Sequence, residues 1–580
     1  MKKLAFLFSV LLAAPLFSQP AFKDLSSQAG FNAVARNSGI AIADYDNDGF
    51  DDVYVAVGNG ANLLYHNLQN GTFEEVAAQA LVADASNSIA AAWADIDNDG
   101  WTDLYVGNAE QPNRLYRNLG NGRFEERSAA AGVDNEGRSQ VVLFADVDLD
   151  GWIDMYVANI NTENALYRNN GDGTFTDIVE TSGTTDRLVA MGSLFFVYDN
   201  DGDPDLYLTH DNRKEFILYQ NDGKGRFTNV AAAAGVDYAG FGMGVDVGDV
   251  NRDGWLDLYI TNLYENVLFL NKGDGSFENI SATAGIDDLG MGWGTAWMDC
   301  DNDGWQDIYA ANDSYFPVDG AYYDNVLYQN NGDNTFTKVS DSTVLSSPFA
   351  GYGVACSDFD NDGREDIFLA NKQEDGNQLF HNLTANEYNW VQFRCVGTMS
   401  NRSAIGTRVT LALGDVTLVD EISGGSGFAS QNSQRLHFGL GAATTIDRLS
   451  IRWPSGLVEE RSNVAVNQLH TLVEGEQTTS LETLVANDEF RLQQLQPNPF
   501  RDHIACLLEL EQTTKLQLDV VDLKGQLVAK VFEGRLSEGM HTFQWDGRSQ
   551  TGEKQSSGLY LLIISANGKK RTYKLILEGQ

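Results

Sequence analysis

The chain reads as an all-β protein, a seven-bladed β-propeller followed by two small β-sandwich-like domains. Three observations predict this. The loop pattern D-x-D-x-D-G-x-x-D returns seven times, each return lies between two short strands, and the strand missing from the last repeat stands at the start of the chain. Self-similarity at a fixed period marks an array of equivalent units, and four strands per unit mark a propeller blade.

The acidic loops begin at Asp44, Asp95, Asp146, Val197, Asp249, Asp299 and Asp358, in steps of 51, 51, 51, 52, 50 and 59 residues. An apolar strand such as 39–43 enters each loop and an alternating strand such as 52–56 leaves it, so the loop closes a hairpin. A third strand follows in every repeat, as at Leu64-Tyr65 and Leu115-Tyr116. In the first six a turn then leads to a fourth, as in Asn70-Gly71-Thr72-Phe73. The seventh repeat stops at Asn382 without its fourth strand, whereas Phe22 to Gly30 reads like Phe124 to Gly132. Pairing that orphan strand into the last blade would close a ring and remove an exposed edge.

The formal net charge is −43, from 82 acidic and 39 basic residues. That balance repels nucleic acid and anionic lipid surfaces unless something neutralises it, and points to cations; no nucleic-acid partner is expected. The opening Met1-Lys2-Lys3, the apolar run Leu4 to Phe17 and Ser18 read as a signal peptide over residues 1–18. No later stretch is apolar for long enough to span a membrane. The cysteines Cys300, Cys356, Cys395 and Cys506 show no C-x-x-C spacing, which leaves out zinc and redox pairs. A Cys300–Cys356 disulfide and two buried thiols both stay open.

The seven nonapeptides hold 29 of the 82 acidic residues. Carboxylates crowded into one turn repel one another unless a cation screens them. Calcium takes six to eight oxygens, and alternate carboxylates of a glycine-bent loop converge on one point. In the first loop the expected ligands are Asp44, Asp46, Asp48 and Asp52 with a carbonyl near Phe50. The same places hold Asp95, Asp97, Asp99 and Asp103 in the second loop, and Asp146, Asp148, Asp150 and Asp154 in the third. They hold Asp299, Asp301, Asp303 and Asp307 in the sixth, and Asp358, Asp360, Asp362 and Asp366 in the seventh. The fourth loop opens on Val197 and keeps Asp199, Asp201 and Asp205, with Asp203 as a substitute, so it should bind most weakly or not at all. The fifth has Asp249, Asn251, Asp253 and Asp257, and its neutral amide should lower affinity. Six to seven structural calcium ions are expected. An EF-hand is excluded, because its twelfth position would be glutamate and here is Val55, Val106 or Val157 within strand-like sequence.

These loops resemble the calcium-binding FG-GAP or VCBS repeats of integrin α-subunit propellers and their bacterial relatives. The resemblance covers residues 19–385 and implies that the ions stiffen the blades. Over residues 386–476, Ala404-Ile-Gly-Thr-Arg408, Gly424-Gly-Ser-Gly-Phe428, Leu436-His-Phe-Gly-Leu-Gly441 and Trp453-Pro-Ser-Gly456 resemble the ASPIC/UnbV domain of the cartilage acidic protein family. There His437 reads as structural. A polar stretch from Glu474 to Asp488 reads as a linker, taken as 477–489. Residues 490–580 resemble the C-terminal sorting domain of type IX secretion cargo, on Leu495-Gln-Pro-Asn-Pro-Phe500, Val521-Asp-Leu-Lys-Gly525, Trp545-Asp-Gly547 and Ser557-Gly-Leu-Tyr560. That implies recognition by the type IX secretion machinery and export to the medium or the outer surface of a Bacteroidota-type cell.

Alternation of the strands puts the acidic loops on one face and the other connections on the opposite face. There the sixth repeat carries its extra length, with Tyr315, Phe316, Tyr322 and Tyr323 as candidate ligand contacts beside the alternative of local packing. Gly240-Phe-Gly-Met-Gly244, Gly290-Met-Gly-Trp-Gly294 and Gly351-Tyr-Gly353 precede innermost strands without a following helix, so they predict close packing at the ring axis. No catalytic set stands out. The leading expectation is a non-enzymatic calcium-bearing module that binds an extracellular glycan or protein. A carbohydrate-active enzyme with its site on the face away from the loops, and an accessory subunit of a surface nutrient-uptake complex, are the alternatives.

Overall fold

A computed structural model describes residues 20–286, 289–340, 343–372, 375–476, 491–496, 500–501, 503–510, 512–521, 527–555, 558–566 and 569–577. The signal peptide, the linker 477–489 and parts of the C-terminal motifs lie outside the described residues. The chain forms two compact units, 1–480 and 481–580. Among the described residues no helix is long and apolar enough to cross a membrane.

The first unit holds seven four-stranded antiparallel sheets, consistent with a β-propeller. In the first sheet the order is β2 (Asn37–Ala43), β3 (Asp52–Val57), β4 (Leu63–Asn67) and β5 (Phe73–Glu75). The innermost strands of the others are Ser88–Ala94, Ser139–Ala145, Ala190–Phe196, Gly242–Gly248, Gly292–Met298 and Gly351–Ser357. Each touches the next, and Gly351–Ser357 touches β2, so the cycle closes. The seventh sheet takes its outer strand from the other end of the chain. β1 (Phe22–Asp24) pairs antiparallel with Gln378–Asn382, with Phe22 opposite Asn382 and Asp24 opposite Phe380.

An asparagine ends the third strand of every sheet and binds two sheets at once. The Asn118 amide donates to Thr102 O in its own sheet at 3.0 Å and to Tyr45 O of the preceding sheet at 2.8 Å. Asn169 does the same to Ile153 O (3.1 Å) and Ile96 O (2.9 Å). Asn221, Asn271, Asn330 and Asn382 continue the series on Val147 O, Tyr198 O, Val250 O and Cys300 O. Asn67 closes it on Phe359 O at 2.8 Å.

The expected packing at the axis is present. A Cβ on Gly244, Gly294 or Gly353 would lie 2.2–2.3 Å from a backbone oxygen of the next innermost strand. All four cysteines are buried and free, so Cys300 and Cys356 are not bonded.

Residues 389–473 of the same unit form two further sheets. Asn389–Val396 lies between Leu436–Gly441 (antiparallel) and Leu469–Val473 (parallel). The second runs Val416–Glu421, Arg408–Leu413, Arg448–Arg452, Val458–Arg461. Phe393, Leu411, Phe438, Ile451 and Trp453 share one buried apolar cluster with ring residues such as Phe144 and Tyr352. We call this part the cap. Its segment 424–433 enters the ring. Phe144 N donates to Gly424 O (3.0 Å), Val245 and Gly427 exchange hydrogen bonds (3.1 and 2.8 Å), and Gln431 N donates to Ile40 O (2.8 Å). Phe428, 1% exposed, meets Trp293 edge-on at 4.8 Å. Two of the motif's glycines are explained by this insertion. A Cβ on Gly424 would stand 1.9 Å from Phe144 O, and Gly427 has φ 63° with Thr295 O 2.7 Å from its missing Cβ.

Glu474, the first residue of the polar stretch, is 3% exposed and accepts from the backbone N–H groups of Thr398, Met399 and Ser400 at 2.7–2.8 Å. It closes the cap, because three amide donors satisfy a buried carboxylate.

The second unit has two sheets. One orders Arg491–Gln496, Ile504–Leu510 and Gly539–Trp545, the other Leu527–Leu536, Thr514–Val521, Gly558–Ala566 and Lys569–Leu577. Leu508, Leu518, Trp545 and Ile564 lie in its core.

Removing one asparagine amide leaves two buried carbonyls without donors, at a cost of about 1–3 kcal/mol. Asn169→Ala should lower the stability of the calcium-loaded protein by that amount in a denaturant titration. An unchanged midpoint would show that the clasp is dispensable.

Candidate metal centres

Each acidic loop is folded by its own carboxylates. The first aspartate accepts from the N–H groups of the fifth and sixth residues, as Asp44 does from Asp48 (2.9 Å) and Gly49 (3.1 Å). Asp95, Asp146, Asp249, Asp299 and Asp358 repeat the pair. The sixth-residue glycine then sits at φ 84–92°, a conformation that side chains other than hydrogen resist. In the fourth loop Val197 offers no acceptor, Asp201 N turns to Asp199 (3.3 Å), and Gly202 opens to φ 110°. Losing the first aspartate therefore removes a staple as well as a ligand.

The ninth residue is the buried anchor. Asp52, Asp103, Asp154, Asp205, Asp257, Asp307 and Asp366 are at most 2% exposed. Each accepts from the backbone N–H of its third-strand asparagine, as Asp52 from Asn67 (2.8 Å) and Asp366 from Asn382 (2.8 Å). Each also accepts from the second loop residue, as Asp154 from Val147 N (2.9 Å). The fifth residue accepts from the seventh N–H, as Asp48 does from Phe50 at 2.9 Å.

Several loops bring ligand-type oxygens within 4.8 Å of one another: Asp44, Asp46 and Asp48; Asp95, Asp97 and Asp99; Asp146, Asp148 and Asp154. The donor set also carries buried oxygens without partners. Asp97 Oδ1, Asp148 Oδ1 and Asp360 Oδ1, all third-position atoms, and Asp203 Oδ1 in the fourth loop have none. An orphaned anionic oxygen among other carboxylates fits a hard cation. Asn251 points differently. Its amide nitrogen donates to Asp253 Oδ2 at 2.9 Å.

Burial drives the carboxyl groups upward. Asp44 is pushed to about 6, Asp52 to about 7, Asp366 to about 8 and Asp205 to about 9, burial being the largest cause in each. A cation would reverse this.

The third-strand residue before the asparagine faces the loop and was not anticipated. At this place stand His66, Arg117, Arg168, Gln220, Leu270, Gln329 and His381. His66 Nδ1 is 3.1 Å from Asp52 Oδ1 and 3.5 Å from Asp46 Oδ2, and His381 Nδ1 is 2.9 Å from Asp366 Oδ1. Arg117 spans Asp97 (2.5 Å) and Asp99 (2.8 Å), an internal countercharge. Gln220 and Gln329 donate to Asp199 (2.8 Å) and Asp301 (2.9 Å). The fourth loop residue was also unread. Asn47, Asn98, Asn302 and Asn361, all in the left-handed region, donate to a loop-glycine carbonyl of the neighbouring sheet at 2.8–3.1 Å.

The cap lies on this face. Arg394 approaches Asp44 (3.3 Å) and Asn47 (2.6 Å), Arg435 pairs with Asp51 (3.2 Å), and Arg452 donates to Asn200 O (2.6 Å). Gln392 donates to Asp358 (2.8 Å) and to His437 Nδ1 (3.2 Å), whose Nε2 faces Asn302 Oδ1 at 2.7 Å. Burial lowers His437 to about 3, so the neutral ring acts as a structural wedge. Tyr315, Phe316 and Tyr322 lie on the opposite face, 46–65% exposed, and the Tyr315 hydroxyl donates to Asp375 (2.8 Å). Tyr323 is half-buried.

Comparison with known families matches the FG-GAP-like repeat over residues 44–106, 95–157, 146–196, 198–260, 252–310 and 299–369. The matches break at Val197. ASPIC and UnbV matches residues 397–479, and the FlgD Ig-like domain matches 508–570. Human cartilage acidic protein 1 is 27% identical over 538 residues, covering 84% of this chain and 78% of the relative. The Xenopus tropicalis protein of the same name is 26% identical over 518 residues, covering 79% and 76%. Among solved structures, an Agrocybe aegerita lectin specific for non-reducing terminal N-acetylglucosamine aligns at 18% identity. Its TM-score is 0.39, over 59% of this chain and 87% of the lectin.

Unfolded aspartate titrates near 3.8, and these groups titrate near 6–9 when folded. The folded chain then holds more protons between those values, so without a cation its stability falls as pH rises from about 4 to about 9. In chelator the melting temperature should drop across that window, and calcium should cancel the drop more fully than magnesium. A flat profile in chelator would contradict the crowding.

Proposed function

Because this chain belongs to the FG-GAP-like repeat family, we propose that its ring is a seven-bladed, calcium-stiffened propeller that binds an extracellular glycan or protein without transforming it. The observation that carries this reading is the cap. It covers the acidic loops with arginines and fills the axis with residues 424–433, which keeps the ions as scaffold. Orphaned oxygens on Asp97, Asp148 and Asp360 support calcium in the second, third and seventh loops. The fourth loop, without its first aspartate, is the weakest. The face turned away from the cap is left for a partner, and exposed aromatic rings such as Tyr322 are suited to that role.

Residues 1–18 direct export, and the last domain serves as the type IX sorting signal, two features that place the mature protein outside the cell. Intact-mass analysis of protein from culture medium should find a start near residue 19 and loss of the domain beginning about residue 490. Full-length protein in the medium would count against the sorting role.

A polysaccharide and matrix-protein panel tests the main reading. Calcium-loaded protein should be retained without releasing products, and chelation should weaken retention. Product release lost on changing residues of the free face would make the protein an enzyme instead.

A further inference from the structure

The free face carries a positive mouth at the ring axis that neither the loops nor the cap uses. Trp293 and Tyr352 are the second residues of neighbouring innermost strands and start on this face. Their rings stack at 4.0 Å and 23°. Lys372 Nζ lies 4.0 Å from the Tyr352 centroid and 5.1 Å from that of Trp293. Lys372 is half-buried, and Arg36 and Arg138 on the same face are exposed. None of the three forms an ion pair among the described residues.

The surroundings are electrostatically unusual. Burial pulls the Lys372 ammonium down to about 8, and the like charges of Arg36 and Arg138 add to that, while Asp313 opposes it. Asp313 itself accepts from the Tyr352 hydroxyl at 3.2 Å. The Trp293 indole N–H, in a side chain 8% exposed, has no acceptor. In a chain of net charge −43, three cations without an ion pair among the described residues gather at one mouth, where they can draw anions although Asp313 and Asp375 stand close by.

Beside this mouth stand Tyr315 and Phe316, only two and three residues beyond Asp313 and about half exposed. A cation cluster next to exposed rings suits a sugar whose apolar face meets an aromatic ring while its acidic group meets the cations. An acidic peptide would use the cations and leave the rings idle.

We propose that this mouth binds the carboxylate or sulfate groups of an anionic polysaccharide, held by Lys372, Arg36 and Arg138 with Tyr315 and Phe316 against the sugar ring. This rests on the binding-module reading and adds to it a site and a ligand class.

The test uses full-length calcium-loaded protein in affinity gels holding polygalacturonate, dextran sulfate, neutral dextran or polyglutamate. Polygalacturonate, dextran sulfate or both should retard it, and dextran and polyglutamate should not. Retardation by the first alone assigns carboxylate, and by the second alone sulfate. It should fall about tenfold between roughly 50 and 300 mM salt. Lys372→Gln and the exposed pair Arg36→Gln/Arg138→Gln should each weaken it about tenfold or more, equivalent to about 1.4 kcal/mol. Lys372→Arg should retain most of it, and Arg448→Gln, on an exposed position of the cap, should leave it unchanged. Equal retardation by dextran or polyglutamate overturns the ligand class. Retention by an acidic polysaccharide that survives all the free-face substitutions overturns the site and leaves the binding module standing. No retention by any polymer, with binding to matrix proteins intact, overturns the inference alone.

Discussion

The buried ninth-position aspartate and the asparagine that anchors it are the constraint on which the ring depends. A carboxylate with its burial almost complete is tolerable only if donors surround it. At Asp154 those donors are the N–H groups of Asn169 and Val147. The same Asn169 side chain then reaches the carbonyl of Ile96 in the preceding sheet. One residue thus satisfies the acid and ties two sheets together. Each hydrogen bond contributes only about 1 kcal/mol net. Seven in a closed cycle, ending with Asn67 on Phe359 O, make every sheet's loop depend on its neighbour.

Charge follows from that geometry. Anchoring one buried aspartate brings three more carboxylates within a turn, and the loops answer differently. Arg117 supplies a countercharge to Asp97 and Asp99 from within its own sheet. His66 and His381 offer a nitrogen beside the anchor aspartates, while Leu270 offers nothing. Loops that look alike in the nine-residue pattern therefore differ in how much they need an external cation. The pattern alone grades the fourth and fifth as weak, and the third strand adds that the second is partly compensated from within.

What was legible in the sequence is what repeats locally. The period, the hairpin loops, the orphan strand at Phe22 and the glycines before the innermost strands are each set by residues within a few positions of one another. What was not legible depends on distant partners. Arg117 is twenty residues from Asp97, and in sequence it is only a polar residue on an outer strand. The left-handed backbone of Asn47 is local, yet its partner is Gly100 O in the next sheet. Glu474 opens a polar stretch in sequence, and its three donors lie far off at 398–400. The motif Gly424-Gly-Ser-Gly-Phe428 was recognisable, but its glycines are required by distant strands, Gly424 by Phe144 and Gly427 by Thr295.

The cap changes what the ring can do. A propeller open at both ends can use either face and the channel between them. Here Phe428 packs edge-on against the stacked Trp293 and Tyr352, so aromatic rings fill the axis where the cap enters the ring. The arginines of the cap face the acidic loops, where their charge offsets repulsion among the carboxylates. On the other side Lys372, Arg36 and Arg138 form no ion pair among the described residues. The strongly negative chain thus sorts its charges by face. Acids and cap cations are sealed together as scaffold, and the few unpaired cations are left at the mouth where a partner can reach them.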